Sequence, residues 1–193
     1  MDFLLPIQLP KATEFIYHQQ KILSIGSCFT EHIGNALSEL KFNVLQNPNG
    51  ILFDPASVCN SIVSYIQNKQ YSKDDLFQLN EVWQSWQFHS RFSGVDADEV
   101  IKNMNESGAH ANKFLKDADW LIITLGSSFS YRLVDQHMQP VANCHRAPQQ
   151  WFQKYLMPIT ETVEKLDNAI HQLFHFNKKI DIIFTISPVR HVR

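Results

Sequence analysis

The chain has 193 residues and a mass of 22.4 kDa, with 44% hydrophobic and 19% charged residues, which fits one globular domain with its own core and excludes disordered and fibrous classes. A formal net charge of −2 gives no electrostatic reason to bind nucleic acid or an anionic membrane. Three cysteines, Cys28, Cys59 and Cys144, lack paired ligand spacing, which argues against a disulfide framework or zinc knuckle and for a reducing compartment.

Met1-Asp2-Phe3-Leu4-Leu5-Pro6 has no basic segment and its apolar run is broken by proline, so it does not read as a signal peptide. No stretch reaches the ~18 consecutive apolar residues of a membrane helix. The expected location is cytoplasmic.

In chain order, residues 21–26 form an apolar, β-branched run ending at Gly26-Ser27, the pattern of a buried strand that turns into a helix. That helix repeats apolar residues at Ile33, Ala36, Leu37 and Leu40, a helical period. Phe42-Asn43-Val44-Leu45 reads as the next strand and ends in the turn Asn47-Pro48-Asn49-Gly50. Asp54-Pro55 supplies an N-cap and an N1 proline for a helix to about residue 68, with Val58, Ile62, Tyr65 and Ile66 on one face.

Ser72 and Asp75 make a capping box for a short helix, and residues 82–88 alternate as a strand or extended loop. A helix is predicted over 97–117, with Val100, Met104, Phe114 and Leu115 inward; Gly108 weakens it by ~1 kcal/mol relative to alanine. Trp120–Gly126 has the continuous apolar run of a buried parallel strand. Phe129–Val134 and Met138–Ala142 follow as a hairpin around Asp135-Gln136-His137. A helix over about 158–176 carries Ile159, Val163, Leu166, Ile170, Leu173 and Phe174, and Ile180–Ile186 is a further buried strand. Strands alternating with helices predict an α/β fold, a mostly parallel sheet covered on both faces in three layers.

Ligands of such sheets bind beyond the carboxyl ends of the strands, so Ser27, delivered there at a helix N-terminus, is a candidate nucleophile. Its own N–H and the helix dipole suit an oxyanion. From spacing alone, a plain helix cap is an equal reading. Cys28 is the second candidate, since a thiolate is intrinsically more reactive; the competing reading is a small buried hydrophobe, directed into the sheet–helix interface if Ser27 faces out. Gly50 closes the turn after the second strand, where backbone can approach a ligand closely. Ser127 and Ser128 end the strand after Gly126, and only one of two neighbouring side chains can face the crevice. His171 and His175 are spaced i, i+4 on a helix, but without neighbouring carboxylate or thiol ligands the expectation is an exposed helix face and no metal. No other sequence feature calls for a cofactor.

Gly26-Ser27-Cys28-Phe29-Thr30 resembles the Gly-Ser-Cys-Phe-Ala motif of the GSCFA family, whose members are similar to SGNH hydrolases. The segments around Phe53-Asp54-Pro55, His89, Leu125-Gly126, Asn143-Cys144-His145 and Ser187-Pro188-Val189-Arg190-His191 also look like motifs of that family. The resemblance implies an SGNH-hydrolase-like (flavodoxin-like) three-layer domain and a serine hydrolase of acyl esters, with an O-acetylated carbohydrate as one substrate class. It makes Ser27 the nucleophile and Gly50 N–H and a Ser127 or Ser128 hydroxyl its oxyanion donors, with His89, Asn143, His145 and His191 as further pocket residues. SGNH hydrolases take their base from a C-terminal Asp-x-x-His block. Nothing in the chain matches that block, and residues 190–193 follow a central-looking strand directly. The expectation is therefore a single domain, 1–193, truncated at its C-terminus, with the base lying beyond residue 193 and an exposed sheet edge available for oligomerisation. The rival reading is a binding domain that recognises a glycan through Trp83, Trp86, Phe88 and Trp151 without hydrolysing it. A third reading is a thiol enzyme pairing Cys28 with His145.

Overall fold

The computed structural model describes residues 14–134 and 138–186. Its centre is a four-stranded parallel sheet of β1 (Lys21–Gly26), β2 (Asn43–Gln46), β5 (Trp120–Leu125) and β9 (Asp181–Ile186), in the order β2-β1-β5-β9. In chain order the intervening elements are α1 (Cys28–Glu39), α2 (Pro55–Ile66), the hairpin β3 (Phe77–Leu79) and β4 (Val82–Gln84), α3 (Ala97–Asp117), the strands β6 (Phe129–Leu133), β7 (Gln139–Val141) and β8 (Phe152–Leu156), and α4 (Ile159–Phe176).

Side chains alternate across a strand, and this alternation assigns the layers. On one face Leu23 and Ile25 of β1 and Leu121 and Ile123 of β5 are fully buried against Val58 and Ile62 of α2, Ala111 and Leu115 of α3 and Leu173 of α4. On the other, Gln46, in register with Ser24, lies against Gly34 of α1. Helices on both faces of a parallel sheet make the predicted three-layer α/β/α domain. No helix among the described residues is long and apolar enough to cross a membrane.

Helix termini follow their sequence signals. Asp54 caps α2, its carboxylate accepting from Ser57 N at 3.0 Å and from Ser57 Oγ at 2.6 Å, with Pro55 at the first helical position. Ser72 and Asp75 form the expected reciprocal box, around a single 3-10 turn. Asn177, 4% exposed, donates to the Leu115 and Ala118 carbonyls at 2.9 and 2.8 Å and so joins the C-terminal ends of α3 and α4.

Burial departs from the hydrophobic pattern in three places. In α1 the stripe Ile33, Ala36, Leu37 and Leu40 does not face the core: Thr30 and Gly34 are buried, while Ile33 and Leu40 are 38% and 63% exposed. Close approach sets this rotation, because a Cβ on Gly34 would lie 1.9 Å from Gln46 Oε1. In α4 Ala169 and Leu173 are buried, whereas Ile159, Val163 and Phe174 are exposed; the helix again rests on its small residue. β9, expected to be buried, is an edge strand with Phe184 and Ile186 exposed.

Two strands went unpredicted. β3 pairs with β4 across Asn80-Glu81, both at positive φ as tight hairpin loops require. β8 adds to β6 opposite β7, making an antiparallel sheet of order β7-β6-β8. β6 and β7 are the two sides of the predicted hairpin, and its turn at 135–137 lies outside the described residues.

Candidate functional site at the carboxyl ends of the strands

β1 stops where its backbone can no longer carry a side chain. Gly26 has φ +142, and a Cβ there would stand 2.2 Å from the Thr124 carbonyl oxygen. The turn is held from two sides: Gly26 N–H donates to Asn47 Oδ1 at 2.9 Å, and the Gly26 carbonyl accepts from Leu52 N at 2.9 Å. Ser27 follows in extended conformation at the N-cap of α1, yet its side chain makes no capping bond; only its carbonyl does local work, accepting from Thr30 N at 2.9 Å. The simple cap reading is therefore not what the hydroxyl does. Ser27 is 7% exposed and sits where the first-turn N–H groups and the positive end of the helix dipole converge.

Cys28 is turned the other way from the expectation. It is exposed, whereas Ser27 is buried, because the first turn of α1 rests on Thr30 and Gly34. The proposed partnership with His145 has no geometric support, since that ring is buried and tied to Ser85. Burial raises the pKa of the other two thiols, Cys59 to about 12 and Cys144 to about 11.

Gly50 does not offer a free N–H, as the oxyanion reading required. That group donates to the Asn47 carbonyl at 2.7 Å inside the turn. Gly50 is needed for another reason: it has φ +85, and a Cβ would stand 2.1 Å from His89 Cβ. The same Asn47 carbonyl accepts from the Arg91 guanidinium, whose other nitrogen is 3.5 Å from Glu31 Oε1, one turn beyond Ser27 on α1. Asn47, Arg91 and Glu31 thus brace the Ser27 turn. Sequence reasoning missed all three; the one available signal was Asn47 itself, an asparagine in a turn, here at φ +42.

The end of β5 reaches the same place. A Cβ on Gly126 would lie 3.1 Å from Ser27 Cβ and 3.4 Å from Phe53 Cδ1. Gly126 N and Ser127 N both donate to the Phe53 carbonyl, at 3.1 and 3.0 Å. Ser127 Oγ accepts from Phe129 N at 3.0 Å, which leaves its hydroxyl proton free to donate. Ser128 is exposed and its carbonyl accepts from Met157 N at 2.9 Å.

The histidines divide by burial. His89 lies between Gly50 and Arg91, its backbone N donating to Asn49 O at 2.9 Å and its Nδ1 accepting from Arg91 N at 3.3 Å. Burial holds its pKa below the ordinary value, Arg91 adds to this, and Glu31 opposes it. His145, 8% exposed, donates from Nε2 to the Ser85 carbonyl at 2.8 Å, because a carbonyl can only accept. Its buried Nδ1 has no partner, and burial again lowers its pKa. Asn143 Oδ1 accepts from His145 N at 2.8 Å, a turn-forming bond. His145 and Asn143 thus fasten the segment after β7 to the segment after β4. His191 lies outside the described residues.

The aromatic platform is not one. Trp86 and Phe88 are 8% and 1% exposed and Trp83 and Trp151 half-buried, with Trp86 stacked on Phe77 at 3.5 Å between ring centroids. These side chains fill the two smaller cores beside the main one. Two surface hollows, of about 280 Å³ lined by Cys59, Val63 and Lys165 and of about 440 Å³ lined by His171, Phe174 and His175, lie along the helical layer. They are not at the strand ends. His171 and His175 approach to 3.1 Å between Nε2 atoms, and among the described residues no group of three or more metal-ligating side chains converges.

No curated protein and no solved structure matches the chain. The model of the GSCFA family matches residues 21–193, from the first residue of β1 through the Ser27 turn and the end of β5. The chain therefore belongs to the GSCFA family.

Proposed function

We propose that the protein hydrolyses an acyl ester, with Ser27 as the nucleophile. The observation that carries this reading is the placement of one hydroxyl. Ser27 stands at the carboxyl end of central strand β1 and at the N-terminus of α1, it does not cap that helix, and it is next to the glycine that ends β5. A braced turn of this kind limits the positions open to the attacking oxygen, which is how proximity lowers a barrier.

In the proposed reaction Ser27 Oγ attacks the ester carbonyl carbon while a histidine takes the hydroxyl proton. The C–O bond to the alcohol breaks, the alcohol leaves with that proton, and water then releases the carboxylic acid and restores Ser27. Negative charge on the tetrahedral oxygen falls at the N-terminus of α1, stabilised by N–H groups of its first turn and by the Ser127 hydroxyl. No hydrogen bond joins His89 or His145 to Ser27: His89 Nδ1 accepts from Arg91 N and His145 Nε2 donates to the Ser85 carbonyl. The resemblance to SGNH hydrolases supports an Asp-x-x-His segment as the source of the base.

A test is labelling of the full-length protein with a fluorophosphonate, followed by peptide mapping, together with hydrolysis of 4-nitrophenyl esters. The expected result is a single adduct on Ser27 and loss of ester hydrolysis by at least about 10³-fold in Ser27→Ala, the scale of losing an activated nucleophile. An adduct on Cys28, or hydrolysis unchanged in Ser27→Ala, overturns the assignment. Ligand binding without turnover in the wild type would leave a non-catalytic domain on the same fold.

A further inference from the structure

The segment after the Asn47 turn crosses the carboxyl ends of both central strands. Leu52 N bonds to the carbonyl of Gly26 at the end of β1, and the Phe53 carbonyl takes the N–H groups of Gly126 and Ser127 at the end of β5. One residue later, buried Asp54 locks the chain into α2. Phe53 is therefore fixed at its backbone on both sides, yet the residue is 47% exposed. Large apolar side chains held at a crevice in this way contribute little to the core and are suited to contact a ligand.

The position of the ring is informative. A single missing methyl group, the absent Cβ of Gly126, separates Phe53 Cδ1 from Ser27 Cβ, at 3.4 and 3.1 Å from the two atoms. Ser27 and the Phe53 ring are thus neighbours at the end of β5. Phe29, also apolar and 49% exposed, lies two residues beyond Ser27 on α1. The charged side chains of the brace are engaged elsewhere: Arg91 pairs with Glu31 and donates to the Asn47 carbonyl after β2.

Resting on the assignment of Ser27 as nucleophile, we propose that Phe53 is the specificity-determining wall for the acyl group. The preferred substrate is then an ester of an apolar acyl chain of several carbons rather than an acetate. Gly126, by lacking a Cβ, lets Ser27 and the Phe53 ring stand close together at the end of β5, so the ring flanks the acyl group rather than Gly126 housing it.

Two series of esters in the full-length protein test this. In the first the alcohol is 4-nitrophenol and the acyl group runs from acetyl through butyryl to hexanoyl; in the second the acyl group is acetyl and the alcohol grows. The expected result is a wild-type preference for hexanoyl over acetyl in kcat/KM, reduced roughly tenfold in Phe53→Ala, since a few methylenes in an apolar pocket discriminate on that scale. Gly126→Ala, whose methyl group would press on Phe53 Cδ1 at 3.4 Å and on Ser27 Cβ at 3.1 Å, should reduce the preference too, and Phe53→Leu should keep most of it. A preference unmoved by Phe53→Ala and Gly126→Ala, or one that follows the alcohol series instead, overturns the proposal while a fluorophosphonate adduct on Ser27 would leave the nucleophile standing. Absence of that adduct overturns both.

Discussion

Asn47→Ala probes the brace under Ser27 most directly. Asn47 is fully buried, its Oδ1 holds Gly26 N–H at 2.9 Å, and its backbone is at φ +42. Alanine removes the acceptor and leaves a buried N–H unsatisfied, a cost of about 1–3 kcal/mol. It also puts a residue with a plain Cβ into the left-handed region, at about 1–2 kcal/mol. One gain offsets part of this: Asn47 Nδ2 is buried without a partner, and its removal recovers about 1 kcal/mol. The balance is a loss of roughly 1–4 kcal/mol, and its midpoint corresponds to about 5–10 °C in Tm for a domain of this size. Urea unfolding followed by tryptophan fluorescence measures it. Asn47→Gly separates the two contributions, because glycine loses the hydrogen bond but not the conformation, and should be milder by about 1 kcal/mol. Asn47→Ala within about 0.5 kcal/mol of wild type, the noise level of neutral surface changes, would refute the argument, and so would a glycine variant no milder than the alanine one.

The remaining predictions concern the rest of the scaffold. Asp54→Ala should lose about 1–2 kcal/mol by removing the cap of α2, and Asp54→Asn should retain most of it, compared by the same unfolding assay. Gly108→Ala should stabilise by about 0.5–1 kcal/mol, because a Cβ there meets nothing within 4 Å and the residue is inside α3. His145 and His89 both have folded pKa values below the ordinary histidine value of 6.5. The unfolded chain therefore binds more protons below that pH, and stability should fall as pH drops from 6.5 toward the folded values. His145→Asn should flatten that slope in denaturation curves at pH 7 and pH 5, and an unchanged slope would remove His145 as the source.

The fold was legible because its main signals are local. The buried runs Ile22–Ile25 and Trp120–Leu125 have the continuous hydrophobicity of parallel strands, and Asp54-Pro55 and Ser72–Asp75 carry their own capping chemistry. What could not be read was rotation. Periodicity marks a stripe on a helix but does not say that Gly34, by letting Gln46 in, turns Ile33 and Leu40 outward. β8 escaped because Phe152–Leu156 has weak alternation, and its pairing with β6 is decided by tertiary contact. At the site, Ser27 and the β5 end were legible as strand ends. The engagement of Gly50 N–H and the joining of Asn47, Arg91 and Glu31 were not, since a turn sequence does not show which of its donors remain free.

The crossing segment at Leu52–Phe53 has a consequence for the order of events during folding. Its bonds connect Gly26 to Leu52 and Phe53 to Gly126 and Ser127, so the surroundings of Ser27 exist only after β1 and β5, nearly a hundred residues apart in sequence, have paired. Such long-range closure comes late relative to helix formation. Amide exchange initiated during refolding should accordingly protect α2 and α3 before the N–H groups of Leu52, Gly126 and Ser127, and the Ser27 turn would acquire its geometry in the last assembly step, together with the sheet.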